Sequence, residues 1–458
     1  MSDSYDLCIL GGGPGGYVSA LRASQLGASV ALVEKDNLGG VCLNWGCIPT
    51  KTYLKHAEII KYFQQSSKFG IEVEGNVKYN WDKMKDRKNK VVNKLTSGVE
   101  HLLSRNNVDI YNGKGRVKSS GEIEIQGKMG KEIHGDNIII ASGSKPFLPE
   151  VPGIDKENVI TSKEVLDLSS LPDKLLIIGG GVIGVEMAEI FNSIGVEVII
   201  VEIMQSILPN MDSEVASLLQ RNLLKKNIEI RVETAVEGIT NDISGLLKAS
   251  LSDGDEIEAD KVLIAAGREA NLSGLADLNL IRDDGFIAVD DYYWTGTENI
   301  YAVGDVIGNY LLAHVAFEEG VAAVENVLLD KKRKLDYSNI PQCVYTLPGI
   351  ASTGLREEEA RKLSRNIKIG KFPFAANGKA LAHGSDEGFV KVISDDYGEI
   401  LGAHIFGLNS DELINEFTIG KEMEMSANYL GNLIHPHPSL SEAVKEAALA
   451  VDNLALHS

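Results

Sequence analysis

Asp6-Leu7-Cys8-Ile9-Leu10-Gly11-Gly12-Gly13-Pro14-Gly15-Gly16 decides how this chain folds. A short apolar strand runs straight into a glycine-rich turn. A helix is expected over 17–27, then a second strand over 29–33 that ends at Glu34. Gly11, Gly13 and Gly16 keep G-x-G-x-x-G spacing. The first permits a tight turn, the second lets a pyrophosphate approach the backbone, and the third lets helix and strand pack closely. Glu34, eighteen residues past Gly16, is placed to accept hydrogen bonds from a ribose diol. The glycines alone are a weak signal; with strand, helix, second strand and acid in place the signal is strong.

The unit recurs. Leu175-Leu176-Ile177-Ile178 leads into Gly179, Gly181 and Gly184 in the same spacing, then a helix to 195, a strand over 197–201 and Glu202, each feature displaced by 168 positions (179 less 11). One chain therefore carries two dinucleotide sites. A carboxylate at 202 repels a 2′-phosphate, and no arginine lies in 203–211, so the second site reads as NAD rather than NADP.

Just after the first unit comes Gly39-Gly40-Val41-Cys42-Leu43-Asn44-Trp45-Gly46-Cys47-Ile48-Pro49-Thr50-Lys51. In a regular helix, Cα atoms five positions apart lie roughly 8–9 Å from each other. A disulfide tolerates about 7 Å. The backbone must bend if Cys42 and Cys47 are to join, and Asn44 and Gly46 allow it. Pro49 is expected to begin a regular helix, whose positive end favours thiolate nearby. Two reduced, buried thiols are the plain alternative. A zinc site would need a second Cys/His pair at ligand spacing, which the sequence does not offer. Beside a flavin-type fingerprint, a redox-active disulfide is the stronger reading, and it makes the first site the flavin candidate.

The bulk properties set limits. A chain of 458 residues should hold two to four domains. A formal net charge of -20 disfavours nucleic acid or an anionic membrane as main partner. Only four cysteines, at 8, 42, 47 and 343, suit a reducing compartment in which one pair is catalytic. The sequence opens directly into a strand over 5–10, leaving no room for a targeting peptide, and no apolar run approaches the ~20 residues needed to span a bilayer. The expected compartment is the cytoplasm.

Between the two units, 53–103 is charged and helical in pattern, interrupted over 68–80, and strands follow at 122–125 and 137–140. The last of these enters Ala141-Ser142-Gly143-Ser144-Lys145-Pro146, a turn where the chain can cross between domains; Val262-Leu263-Ile264-Ala265-Ala266-Gly267-Arg268 echoes it. An apolar strand over 297–305 ends in Gly304-Asp305, ahead of a helical stretch from Leu311. Asp305 is a ligand contact at a strand end or a helix cap. From about 336 alternating strands (389–393, 400–406) give way to helices, with no third fingerprint. The region closes on His435-Pro436-His437-Pro438-Ser439-Leu440-Ser441-Glu442 and an apolar helix over 443–454. A histidine beside a helix start is ordinarily a packing or capping residue; here one histidine could instead be oriented by Glu442 as a base. The two His-Pro bonds are candidates for a cis peptide.

Together these residues resemble the pyridine nucleotide-disulfide oxidoreductases, and within them the branch that oxidises dihydrolipoamide. The resemblance covers essentially the whole chain. It implies an α/β fold with two Rossmann-like dinucleotide-binding domains plus a C-terminal α+β dimerisation domain: 1–146 for FAD, 147–270 for NAD, 271–336 completing the FAD domain and 337–458 forming a homodimer. Cys42 would exchange with a dithiol and Cys47 would lie against the flavin as the charge-transfer thiol. Lys51 would sit near the flavin's reactive edge with Glu186 as ion-pair partner. Gly115, Ser142, Gly143, Asp305 and Ala313 would join Gly11, Gly13, Gly16 and Glu34 around FAD. Val236 and Gly267 would join Gly179, Gly181, Gly184 and Glu202 around NAD. His437, oriented by Glu442, would be the base of the other subunit's site. The implied partner is the lipoyl-bearing acyltransferase core of 2-oxo acid dehydrogenase complexes. Ser142 stands where such proteins more often have threonine. NADPH-dependent disulfide reductases would need basic residues after the second fingerprint, and a mercuric reductase a cysteine pair near the end of the chain. A silent nucleotide-binding scaffold would need neither the cysteines nor the histidine-glutamate pair.

Overall fold

The first apolar run becomes the strand Asp3–Leu10, whose Leu7, Cys8 and Ile9 are fully buried. Burial on both faces is the property of a central parallel strand, and explains why the sequence there is apolar without alternation. The computed structural model describes residues 3–75, 77–119, 121–126, 130–241, 245–329, 331–363 and 366–457. Asp3–Leu10 pairs in parallel with Val30–Glu34 on one side and Lys131–Ile140 on the other, in a seven-stranded sheet. Ile300–Ala302 returns from much later in the chain to join this sheet beside Lys131–Ile140. The helix Pro14–Gln25 packs between the sheet and the helix Ala313–Leu329.

The second fingerprint builds a five-stranded parallel sheet, ordered Glu229–Arg231, Glu197–Val201, Lys174–Ile178, Lys261–Ile264 and Val159–Ile160. A three-stranded antiparallel sheet, Val236–Asn241, Leu247–Leu251 and Glu256–Ala259, covers one face. The two nucleotide units are joined by a ribbon in which Ser144–Pro146 pairs antiparallel with Arg268–Ala270. The last region is a five-stranded antiparallel sheet, with Ile400–Gly407 buried along its whole length and the helices Ser410–Glu422 and Glu442–Ala450 packed on it. Its antiparallel sheet with appended helices is the α+β part of the expected fold.

Several boundaries differ from the sequence reading. The helix expected to begin at Pro49 begins at Cys47, and a separate short helix, Gly40–Trp45, carries Cys42. Gly46 separates them at φ −143° and ψ −118°. A side chain there would lie 2.8 Å from the Val41 carbonyl oxygen, so close approach of the two helices fixes glycine. The strand expected over 297–305 shrinks to Ile300–Ala302, and Gly304–Ile307 forms a 3₁₀ turn. Gly304 sits at φ +75°, and its N–H is taken by the buried Glu319 at 2.7 Å, which ends the strand early. The closing helix runs Glu442–Ala450 rather than over 443–454. The His437-Pro438 peptide is cis, as is Leu347-Pro348. Among the described residues no helix is long and apolar enough to cross a membrane.

Candidate active site

The two glycine turns are near copies of one another in atomic detail. A Cβ on Gly16 would fall 1.8 Å from the Gly11 carbonyl oxygen, and one on Gly184 2.0 Å from that of Gly179, so both are packing glycines. Gly11 and Gly179 stand at φ +107° and +112° with their own Cβ positions blocked by backbone. Gly13 and Gly181 differ: nothing lies within 3.8 Å of a Cβ on the first, and nothing within 4 Å on the second. The space beside the middle glycine is open, as a diphosphate cradle requires. Each turn is held by its acid. Glu34 accepts from Gly12 N (2.6 Å) and Asp36 N (2.7 Å), and Glu202 from Gly180 N (2.6 Å) and Met204 N (2.8 Å). Both carboxylates face the same cavity as the glycines, where free lone pairs are available to a ribose.

That cavity, about 2340 Å³, connects both cradles and is lined by Cys42, Cys47 and Lys51 where they meet. Gly115, Ser142, Gly143, Asp305 and Ala313 line it on the first side, and Val236 and Gly267 on the second. Ala313 opens the helix Ala313–Leu329, so a positive helix end faces the cavity. Gly16 and Gly184 do not line it; they act by letting their helices close on the strands.

Cys42 and Cys47 are present as thiols on either side of the Gly46 break, in hydrogen-bond contact. The hydrogen bond from Cys42 pulls Cys47 down to about 7, Lys51 assisting, while that same bond and burial push Cys42 far up. The pair is asymmetric: its surroundings favour the anion at Cys47 and the proton at Cys42. Lys51 Nζ lies 3.0 and 2.8 Å from the two oxygens of Glu186, which is nearly fully buried. Glu186 Oε1 also accepts from Tyr345 N (2.9 Å), and Lys51 stands 4.3 Å above the Tyr345 ring. Lysine, glutamate and tyrosine thus come from three separate regions to one point behind Cys47.

Asp305, on the 3₁₀ turn, accepts a hydrogen bond from Ser144 Oγ, which in turn accepts from Arg268 Nε at 2.7 Å. Asp305 is therefore no helix cap but a cavity-facing carboxylate in a Ser144–Arg268 network. Ser142 turns its hydroxyl to Asn271 O (2.7 Å). Arg268 and Tyr345 are the residues that sequence reasoning passed over. Arg268 directly follows Gly267 in a turn already marked, and an arginine beside a cavity glycine was the available signal; nothing local marks Tyr345.

His437 and Glu442 lie elsewhere. Glu442 Oε1 holds His437 Nδ1 at 2.9 Å and Oε2 accepts from Ser439 N, but the imidazole is 81% exposed and lines no part of the cavity. The adjacent His435 is instead 8% exposed, tied to Glu416 at 2.9 Å.

Residues 5–320 match the model of the family described as pyridine nucleotide-disulphide oxidoreductase, and 340–448 match that family's dimerisation domain. The chain belongs to the pyridine nucleotide-disulphide oxidoreductases. As such it is an FAD- and NAD-dependent disulfide oxidoreductase carrying a domain through which the family dimerises. It is 40% identical to dihydrolipoyl dehydrogenase from Bacillus subtilis (strain 168), over 100% of both chains. It is also 40% identical to the mitochondrial dihydrolipoyl dehydrogenase of Pisum sativum, over 100% of this chain and 93% of the other. Among solved structures, the Cu(II) complex of the HOCl-induced flavoprotein disulfide reductase RclA from Escherichia coli superposes with a TM-score of 0.89 at 29% identity, covering 98% of this chain and 99% of that one. LpdA from Mycobacterium tuberculosis gives 0.90 at 24% identity over 97% and 99%, a likeness of fold.

Proposed function

We propose that this oxidoreductase oxidises protein-bound dihydrolipoamide to lipoamide and reduces NAD⁺, as the flavoprotein component of 2-oxo acid dehydrogenase complexes. What carries the reading is the asymmetric thiol pair at the junction of two dinucleotide cradles, in a chain whose full-length relatives are named dihydrolipoyl dehydrogenase. We assign FAD to the first cradle (1–146, completed by 271–336), NAD to the second (147–270) and subunit pairing to 337–458. Burial of Ile300 and Ala302 in the first sheet supports the return of the chain to the first unit.

The geometry supports the following residue roles. His437 of the partner subunit takes a proton from the substrate dithiol at Nε2, because Glu442 holds Nδ1 as the donor side. Supply in trans accounts for an exposed imidazole remote from its own chain's cavity. The substrate thiolate attacks Cys42 of the oxidised Cys42–Cys47 pair, and Cys47 leaves as the thiolate its surroundings favour. The second substrate sulfur then displaces Cys42 and closes the lipoamide ring, so the substrate loses two electrons and the cystine gains them. Lys51, pinned by Glu186, keeps positive charge beside Cys47 while it is anionic. FAD, when bound, would take this electron pair and pass it as hydride to NAD⁺. Glu202 and the open face at Gly181 would receive the unphosphorylated ribose and the diphosphate. Only four cysteines, one pair of them catalytic, suit the cytoplasm as compartment.

The test is a stoichiometric assay of NADH formation from dihydrolipoamide with purified protein, alongside its visible spectrum. A yellow protein that forms one NADH per dithiol consumed is expected. A colourless preparation, or dye reduction by NADH with no dithiol activity, would overturn the reading.

A further inference from the structure

The turn that follows Glu202 is strained and is held from both ends. Leu208 sits at φ +49°, a left-handed conformation costly for a bulky side chain, with its N–H on the Gly180 carbonyl at 2.9 Å. On that side the strain is tied to the second glycine turn itself. On the other side the chain meets a polar seam with the C-terminal region. Arg356 Nη1 donates to Pro209 O at 3.0 Å. Asp212, fully buried, caps the helix Ser213–Lys225 and receives Lys391 Nζ at 3.1 and 3.0 Å. Lys391 is itself 1% exposed and also reaches Glu357 at 2.6 Å and Glu214 at 3.4 Å.

Burying this cluster is expensive, since each desolvated charge costs several kcal/mol before its partners return it. Behind it lies buried His404, with Nδ1 on Ser352 Oγ and Nε2 on Leu355 O, both at 3.0 Å. Plain adhesion between two regions needs no such set; apolar contact would serve as well. What the seam adds is direction. It fixes one backbone oxygen and one carboxylate within four residues, immediately after a left-handed leucine that would relax if released. The same segment, through Met204 N, holds one oxygen of Glu202, and residues 203–204 and 209–212 line the nucleotide cavity.

We propose that Arg356 and Lys391, which belong to the dimerisation region, are positioning residues for nicotinamide dinucleotide: they hold the loop over 203–212 in its binding shape. This rests on placing NAD at the second fingerprint. Arg356→Gln keeps the backbone N–H that Glu359 accepts at the start of its helix but removes the guanidinium from Pro209 O and from Glu359 Oε1. In the flavin-loaded dimer it should weaken NADH binding, measured by fluorescence titration, roughly tenfold, the scale of one charged hydrogen bond. Flavin content and the rate at which dihydrolipoamide reduces the enzyme should stay at wild-type values. Lys391→Met should weaken NADH more, and Arg356→Lys should recover part of the loss. NADH affinity within about twofold of wild type in Arg356→Gln, or a proportional fall in dithiol reduction, would overturn the inference. A separate control, Gly181→Val, tests the placement of NAD: retained NADH binding there would refute the placement itself, whereas its loss beside a normal Arg356→Gln would refute only the positioning role.

Discussion

Two alanine substitutions in one glycine turn should fail in opposite ways. In Gly184→Ala the new Cβ would lie 2.0 Å from the Gly179 carbonyl oxygen, with the 179 carbonyl carbon 3.1 Å away. Carbon–oxygen contacts of this kind settle at about 3.3–3.6 Å, so the helix Val182–Ser193 must retreat by more than about 1 Å. Both obstructing atoms are backbone and cannot swing aside. The cost should approach about 3 kcal/mol, the upper end for overpacking, lowering the unfolding midpoint of the second unit by roughly 6–12 °C. Gly181→Ala meets nothing within 4 Å, at φ −73° and ψ −175°, where any residue fits. Its stability should be unchanged or better by up to ~1 kcal/mol, because the unfolded chain loses freedom. The added methyl stands in the phosphate approach, and NADH affinity should fall at least about tenfold, or ~1.4 kcal/mol. Calorimetric melting and NADH titration of the two proteins give the comparison. Equal melting of both, or normal NADH binding by Gly181→Ala, would refute the division of labour between packing and cradle glycines.

Other outcomes follow from the active-site geometry. His437→Gln should cut dithiol oxidation by about 10²–10⁴ while NADH-to-dye activity persists; parallel loss of both would remove His437 from its role. With Cys47 lowered to about 7, the thiolate is present above that pH, so alkylation of the dithionite-reduced protein should rise through pH ~7 instead of the ~8.5 of a free thiol. Lys51→Met should move that midpoint upward, and an unmoved midpoint would show that Lys51 does not act on Cys47. Glu186→Ala strips a partner from Lys51 and from Tyr345 N. Lys51 is about a third exposed, which discounts the loss to roughly 2–3 kcal/mol; Glu186→Gln should recover more than half of it in a urea melt.

Much of the molecule was legible because its physics is local. Strand, glycine turn, helix and acid lie within about thirty residues in each unit, and every one of those features was placed to within a few residues. The Gly46 break was readable from cysteine spacing, although the helix begins at Cys47, where capping chemistry gave no sign. The shortened strand at 300–302 was not readable, because its end is set by Glu319, fifteen residues further on from Gly304. Lys51 and Glu186 are 135 positions apart and can be paired from sequence only by likeness to relatives. The Lys391 cluster gathers groups from three distant stretches, and nothing in the neighbourhood of any one of them announces the others.

The ribbon of Ser144–Pro146 against Arg268–Ala270 has a mechanical meaning. Its register sets Ser144 opposite Ala270 and Pro146 opposite Arg268, so the inserted unit leaves and re-enters its host at adjacent points, a strand spacing of about 5 Å apart. The second fold is a parenthesis whose brackets touch. Excising it and closing the gap with a short turn should leave the host sheet whole, because both brackets lie outside that sheet.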